Sequence, residues 1–300
     1  MANWVTYKNG NYAVYFNKDD GTKIRDTDAD HFEADFPESF DLKICNKCNM
    51  NCPQCHENST PDGMCGDILG AEFINSLHPH TEIAIGGGNP LEHPDLGAFL
   101  YKLKLKEIIP SMTVHQVHFL ENLEYLRMLR DEKLIYGLGV SITNVTPELI
   151  EALSEFPNAV CHIIAGIVTE DQLHKLAHHN LKILILGYKM FRRGETNYAK
   201  HSSQIDFLIQ YLYDLLPTMH KEGWFDVISF DNLALDQLNA KRLVSEQEWE
   251  ETYMGDDGQF TMYVDLVKNE FARSSTSVRR YPLKSTVEEM LQIIKEEQYE

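Results

Sequence analysis

Leu42-Lys-Ile-Cys45-Asn-Lys-Cys48-Asn-Met-Asn-Cys52-Pro-Gln-Cys55-His-Glu57 is the most informative stretch of this 300-residue chain. It places four of the six cysteines within eleven residues, directly after an apolar run that is typical of a buried strand. Secreted disulfide proteins spread their cysteines to close long loops, whereas so tight a group indicates metal ligation. We therefore expect a loop that leaves a strand and wraps round a metal centre.

Short apolar runs alternate with amphipathic segments of helical period along most of the chain. Strands are predicted at 40–45, 82–86, 112–116, 136–142, 159–167 and 182–188, with a seventh at 227–230. Six repeats of strand then helix imply a parallel sheet with right-handed crossovers. The predicted fold class is α/β: a partial TIM-type (β/α)6 barrel with an N-terminal β-hairpin and a C-terminal α+β extension. The corresponding domains are residues 1–38, 39–235 and 236–300, and functional residues are expected at the carboxyl ends of the strands.

Three kinds of metal site compete for the cysteine group. Structural zinc favours two Cys-x-x-Cys pairs about 15–20 residues apart, whereas only three residues separate Cys48 from Cys52. A ferredoxin-type cluster requires a fourth ligand, and the two cysteines outside the group are isolated. In the third kind, Cys48, Cys52 and Cys55 are the ligands and one coordination position stays open, as in a catalytic centre. Cys45 is then expected to be a small buried residue, with a role as an extra ligand as the alternative.

The spacing Cys48-x-x-x-Cys52-x-x-Cys55 resembles the signature of the radical S-adenosylmethionine (SAM) superfamily. The resemblance covers about residues 39–232, and it implies that the three thiolates hold a [4Fe-4S] cluster whose fourth iron is chelated by SAM. It further implies reductive cleavage of SAM to a 5′-deoxyadenosyl radical, which abstracts hydrogen from a substrate. An electron donor such as flavodoxin or ferredoxin would serve this cluster. No second cluster is expected, because the C-terminal extension lacks cysteine.

The resemblance also implies where SAM is bound. Gly86, Gly87, Gly88 and Asn89 resemble the family's Gly-Gly-Glu-Pro motif, whose backbone receives the SAM amino group. Asn89 stands where the motif has Glu, and its amide oxygen can accept a hydrogen bond without bringing a charge. Further cofactor contacts are implied in the later strands, at Ser141, Ile164, Gly166 and Gly187.

No catalytic residue is assigned from the sequence, but three candidates lie near the cysteines or at strand ends. His56 adjoins the cysteines, His115 ends the third predicted strand, and Lys189 follows the sixth. Either histidine can equally be a hydrogen-bonded structural residue. Arg192 and Arg193 could bind an acidic group, although a solvated surface pair is the simpler interpretation.

The charge and hydrophobicity of the sequence disfavour nucleic acid and membranes as binding partners. A formal net charge of −19 would repel a phosphate backbone and disfavours nucleic acid as a partner. The chain contains no run of 18 apolar residues, and its first ten residues lack the basic-then-apolar pattern of a signal peptide. We therefore expect a cytoplasmic protein without a membrane partner.

Three functions remain open on these grounds. The first is a radical SAM enzyme that acts on a small molecule or a peptide. The second is a glycyl-radical-enzyme activase, whose partner is a protein, and the third is a non-catalytic metal-binding module. A C-terminal extension that covers the active-site mouth would favour a small substrate, whereas an open mouth would favour a peptide or protein.

Overall fold

The computed structural model describes residues 3–297, which form one large and one small β-sheet flanked by helices. The strands are β1 Trp4–Asn9, β2 Tyr12–Asn17, β3 Lys23–Asp26, β4 Ser39–Cys45, β5 Glu82–Gly87, β6 Ile109–His115, β7 Gly137–Ser141, β8 Ala159–Ile164, β9 Lys182–Leu186, β10 Val227–Phe230, β11 Thr261–Asp265, β12 Glu270–Ala272 and β13 Tyr281–Pro282. The α-helices are α1 Leu96–Leu105, α2 Gln116–Glu121, α3 Leu123–Asp131, α4 Pro147–Ser154, α5 Glu170–Leu176, α6 Arg193–Lys221, α7 Asn232–Gln237, α8 Glu246–Thr252 and α9 Val287–Glu296. Short 3₁₀ segments lie at Glu72–Ser76, Pro90–Glu92 and Ala240–Leu243.

The large sheet has the strand order β10-β9-β8-β7-β6-β5-β4-β11-β12-β13. Strands β4 to β10 are neighbours in space as in sequence and pair in parallel, and β11 adds a parallel strand beside β4. The last two strands pair antiparallel. The expected α/β fold with a large parallel sheet is confirmed, and the predicted seventh strand is β10. Within residues 3–297 no pairing joins β10 to β13, so the sheet is open and no closed barrel forms.

The two faces of the large sheet differ in chemistry, as β4 illustrates. Phe40, Leu42 and Ile44 are buried in the main hydrophobic core, together with apolar residues of the helices. Asp41 and Lys43 alternate with them and therefore point to the opposite face, which we call the inner face. An apolar face covered by helices is the usual arrangement of a parallel sheet. The polar inner face is left for the functional site.

Helix starts follow local sequence signals. Thr146 and Thr169 cap α4 and α5, because their side chains accept hydrogen bonds from backbone N–H groups of the first helical turn. Helix α9 is capped by Thr286, and the hydroxyl of the preceding Ser285 donates a hydrogen bond to Glu72 at 2.8 Å. Among the helices of residues 3–297, none is long and apolar enough to cross a membrane.

The small N-terminal sheet has three strands where a hairpin was expected. Strands β2 and β3 are the predicted pair, and β1 pairs antiparallel with β2, so that Trp4 lies opposite Asn17. Val14 and Phe16 are buried on one side of this sheet and form a cluster with Phe260. Strand β1 has only half-buried residues on its covered side until its last position, which explains why its strand character is weak in the sequence.

The core assignment can be tested with a matched pair of leucines. Leu42 on β4 is 1% exposed, whereas Leu105 at the end of α1 is 69% exposed. Leu42→Ala is expected to lower the free energy of unfolding by about 2–5 kcal/mol, because it leaves a cavity in the core. Leu105→Ala should change it by less than about 0.5 kcal/mol. Urea denaturation followed by circular dichroism measures both, and equal losses would contradict the assignment.

Candidate functional site

The cysteine loop, defined as residues 46–64, leaves the end of β4 and returns beside it. Cys45 and Cys65 face each other as a β-bridge at the base of this loop, and their sulfurs are joined in a disulfide. Cys45 is fully buried, as expected, and the disulfide leaves it no thiolate with which to act as an extra ligand. The pairing with Cys65 was not predicted, because that residue stands outside the cysteine group.

Cys48, Cys52 and Cys55 remain free and half-buried on the cysteine loop. Cys55 N donates a hydrogen bond to Cys52 O at 3.2 Å, and Cys48 N donates to Thr60 O at 2.9 Å. Burial raises the pKa of the Cys48 and Cys52 thiols, and the nearby Cys55 thiol raises both further. The three sulfurs are therefore close enough to interact electrostatically.

The three free cysteines fit some kinds of metal centre better than others. Within residues 3–297, no three Cys, His, Asp or Glu side chains converge closely enough to hold a single metal ion. In a four-iron cluster each thiolate binds a different iron, so the ligands stand farther apart than those of one ion. Thiolates are the usual protein ligands of such clusters. Three free thiols on one loop thus fit a cluster with one open iron better than a zinc tetrahedron.

Three successive glycines at the end of β5 form a turn against the base of the cysteine loop. Gly88 N donates to Cys45 O at 2.7 Å. Gly87 has a φ of +110°, and a Cβ atom on it would lie 2.5 Å from Cys45 O. A Cβ atom on Gly88 would lie 2.5 Å from Lys47 O, whereas one on Gly86 would meet no atom within 4 Å. The last two glycines therefore permit the contact with the loop, and Gly86 borders open space.

Asn89 extends this contact. Its backbone N–H donates to Lys47 O at 2.7 Å, and its Oδ1 accepts from Leu91 N at 3.2 Å. The side chain is buried and caps the short 3₁₀ segment that follows the turn. Its amide oxygen thus already holds a backbone partner.

The four later residues implied as cofactor contacts fall into two groups. Ser141 and Ile164 end β7 and β8, half-buried on the inner face. A Cβ atom on Gly166 would lie 2.7 Å from a side chain of α6, and one on Gly187 would lie 2.4 Å from a side chain of α7. These two glycines allow helices to approach closely, which is a packing role.

His115 is the N-cap of α2. Its Nδ1 accepts from Val117 N at 3.2 Å, and its Nε2 lies 3.1 Å from Thr143 Oγ1. Burial, and then the neighbouring His118, lower the pKa of His115 to about 4, so the ring is neutral near pH 7. His118 Nε2 in turn lies 2.8 Å from Asn49 Oδ1 of the cysteine loop. His118 therefore braces the loop from the α2 side, and His115 packs against His118.

His56 and Lys189 are brought within electrostatic reach of each other. Burial and the charge of Lys189 lower the pKa of His56, whose Nε2 lies 3.4 Å from Glu57 Oε1. Lys189 Nζ donates to Ser275 Oγ at 3.0 Å. Burial opposes ionisation of Glu57, but hydrogen bonds and charges from His56 and Lys43 hold its pKa below the ordinary value. Glu57 is therefore a carboxylate at neutral pH.

A buried ionic network ties the end of the cysteine loop to the sheet; it consists of Lys43, Glu57, Asp265, Arg192 and Tyr263. Lys43 Nζ lies 2.8 Å from Glu57 Oε2 and 3.1 Å from Asp265 Oδ2. Tyr263 Oη donates to Glu57 at 3.0 Å, and Arg192 Nη1 lies 3.4 Å from the same carboxylate. The Lys43 side chain is 2% exposed and that of Asp265 is 0% exposed. Each buried charge thus has at least one partner of opposite sign.

Two polar residues of the inner face were missed in the sequence. The surrounding protein desolvates Asp41, although its side chain is still exposed, and this raises its pKa to about 6, against the charge of Lys189 and with that of Asp257. His162 lies over Gly139, where a Cβ atom would be 2.5 Å from the imidazole. Burial and then Lys189 lower the pKa of His162 to about 4. The signal was available, because each is a polar residue between two apolar residues of a predicted strand.

Comparison with known proteins finds similarity in fold but not in sequence. No protein-family model matches the chain, and no curated protein matches it in sequence. Its fold matches the structure of Streptococcus suis SuiB bound to S-adenosylmethionine, with a TM-score of 0.63, 11% identity and coverage of 98% of this chain and 87% of that chain. It also matches SuiB bound to the precursor peptide SuiA, with a TM-score of 0.62, 10% identity and coverage of 97% and 87%. At such identity the likeness establishes a shared fold.

The ionic network can be tested with two paired lysines. Lys43→Met should lower the free energy of unfolding by about 3–5 kcal/mol, because it leaves Glu57 and Asp265 buried without their shared cation. Lys47→Met is the matched control, since Lys47 is about half exposed and forms a 2.9 Å ion pair with Glu92. This control should cost less than about 1 kcal/mol. Denaturant titrations of both variants give the comparison, and a small loss for Lys43→Met would refute the network's importance.

Cysteine accessibility gives an independent test. Iodoacetamide applied to the folded, unreduced apoprotein should label the three loop thiols, because they are free and half-buried. Cys161 is 1% exposed, so it should resist labelling. Cys45 and Cys65 should be recovered by mass spectrometry as a linked pair of peptides. Labelling of either one before reduction would argue against the disulfide.

Proposed function

We propose that this chain is a radical SAM enzyme that holds a [4Fe-4S] cluster through Cys48, Cys52 and Cys55. The observation that carries the proposal is the placement of these three free thiols on one loop whose base contacts a glycine turn at the carboxyl end of a parallel sheet. The fold shared with SAM-bound SuiB supports it. The cluster would supply the electron that cleaves SAM to a 5′-deoxyadenosyl radical.

The proposed cofactor contacts are the residues whose backbone or side chain is open to a ligand. Gly86 borders open space beside the cysteine loop, so its backbone is accessible to a ligand. Ser141 would offer a hydroxyl and Ile164 an apolar surface, both from the inner face. Gly87 and Gly88 would act by holding the turn against the loop, and Asn89, Gly166 and Gly187 would shape the site through caps and helix packing.

We further propose a peptide as the substrate, in preference to a small molecule. The structural neighbour SuiB is bound to a precursor peptide, which supports this choice. Asp41, His162 and Lys189 are the polar groups that a substrate on the inner face would meet. His56 and Lys189 would orient it or hold a proton, whereas His115 has both ring nitrogens engaged. The proposed setting is the cytoplasm, with a flavodoxin or ferredoxin as electron donor.

Anaerobic reconstitution tests the proposal. The full chain, treated with iron and sulfide, should bind about four iron atoms and, with dithionite and SAM, should release 5′-deoxyadenosine. Cys48→Ala, Cys52→Ala and Cys55→Ala should each lose the cluster and the product. Cys161→Ala is the matched control, because it removes a free cysteine that lies on β8 and outside the loop, and it should keep both.

Iron analysis, visible absorbance and chromatography of the nucleoside provide the three readouts. Zinc in the purified protein with no iron uptake would indicate a structural metal module instead. An intact cluster that releases no 5′-deoxyadenosine would refute the catalytic part of the proposal and leave the ligand assignment in place.

A further inference from the structure

Arg192 and Arg193, at the start of α6, are both turned onto the cysteine loop. Arg192 Nη1 donates to two carbonyl oxygens of the loop, at 3.2 and 3.1 Å. Arg193 Nη1 donates to Asn51 Oδ1 at 2.8 Å, and its Nη2 donates to Ser59 O at 2.6 Å. The expectation of a solvated surface pair is therefore wrong. Together the two guanidinium groups hold both halves of the loop that carries the free thiols.

The two arginines differ in what neutralises them. Arg192 lies 3.4 Å from the Glu57 carboxylate, so its charge belongs to the buried ionic network. The hydrogen-bond acceptors of Arg193 are a neutral amide and a carbonyl, at Asn51 and Ser59. In the described part of the chain, no carboxylate forms an ion pair with Arg193, and its buried Nε has no hydrogen-bond partner. This side chain thus retains a positive charge and one N–H without an acceptor.

That charge acts on the proposed ligands. Arg193 holds the side chain of Asn51, which directly precedes Cys52 and lies three residues after Cys48, so its guanidinium stands beside the segment that carries two of the proposed ligands. A cluster held by three thiolates is anionic, and its reduced form carries one further negative charge. A nearby cation therefore stabilises the reduced form more than the oxidised form. Because the thiols are half-buried, solvent screens this interaction less than on an open surface.

We infer that Arg193 is a positioning residue that sets the reduction potential of the cluster, by holding an unneutralised guanidinium beside the loop of Cys48 and Cys52. The inference rests on the proposed function for the presence of the cluster. It concerns the one-electron step that adds an electron to the cluster without a proton, and it assigns Arg193 no contact with the substrate.

The test is a spectroelectrochemical titration of the reconstituted full chain. Arg193→Gln removes the charge but keeps a hydrogen-bonding amide. Arg193→Lys keeps the charge but loses the planar guanidinium that donates to two acceptors at once. Arg127→Gln on α3 is the matched control, since it removes an arginine from an exposed ion pair with Glu155 at 2.8 Å. Arg193→Gln should move the midpoint potential by about 59 mV in the negative direction, a tenfold fall in the ratio of reduced to oxidised cluster. Arg193→Lys and Arg127→Gln should stay close to the unmodified protein.

Two results overturn the inference. One is an unchanged potential in Arg193→Gln. The other is a potential in Arg193→Lys that falls as far as in Arg193→Gln, because loop geometry and not charge would then be the cause. If Arg193→Gln retains no iron, Arg193→Lys decides: full iron with an unchanged potential supports the role of the charge, and a lowered potential refutes it. Release of 5′-deoxyadenosine by the unmodified protein tests the enzyme proposal separately, since the potentials can be measured whether or not SAM is cleaved.

Discussion

The pairing of Lys43 with Glu57 inside the sheet is the constraint on which the site depends. An ammonium group on a buried strand is costly unless carboxylates accompany it, and Lys43 has two, from the cysteine loop and from β11. Arg192 and Tyr263 complete the shell of Glu57. The two cations and two anions come from four separate segments of the chain. If one segment is out of place, at least one buried charge lacks a partner of opposite sign. The position of the free thiols follows, because Cys55 lies only two residues before Glu57.

Much of this arrangement could be predicted from local sequence. Short apolar runs indicated the strands, and their alternation with segments of helical period indicated that the strands pair in parallel. The order of strands then brings the glycine turn against the cysteine loop, because β4 and β5 are neighbours in both sequence and space. Features that depend on elements adjacent in sequence could thus be predicted.

The features that were missed join distant segments. Asp265 lies more than two hundred residues from Lys43, and nothing in either local pattern signals the parallel pairing of β11 with β4. The same holds for Arg193 and Asn51, whose hydrogen bond spans 142 residues. The Cys45–Cys65 disulfide was missed for a different reason, because Cys65 lies twenty residues from Cys45 and outside the cysteine group. Long-range register is set by the packing of the whole sheet, which no short stretch encodes.

The addition of β11 beside β4 has a consequence for how the protein is made. Synthesis proceeds from the N-terminus, so the cysteine loop leaves the ribosome long before β11, the strand that pairs with β4 beside the base of the loop. Until about residue 265 has emerged, Lys43 lacks one of its two carboxylates and the first large-sheet strand has an open edge. The nascent chain therefore presents its free thiols before the ionic network that anchors their loop is complete, and insertion of a metal centre at that stage would precede the final fold.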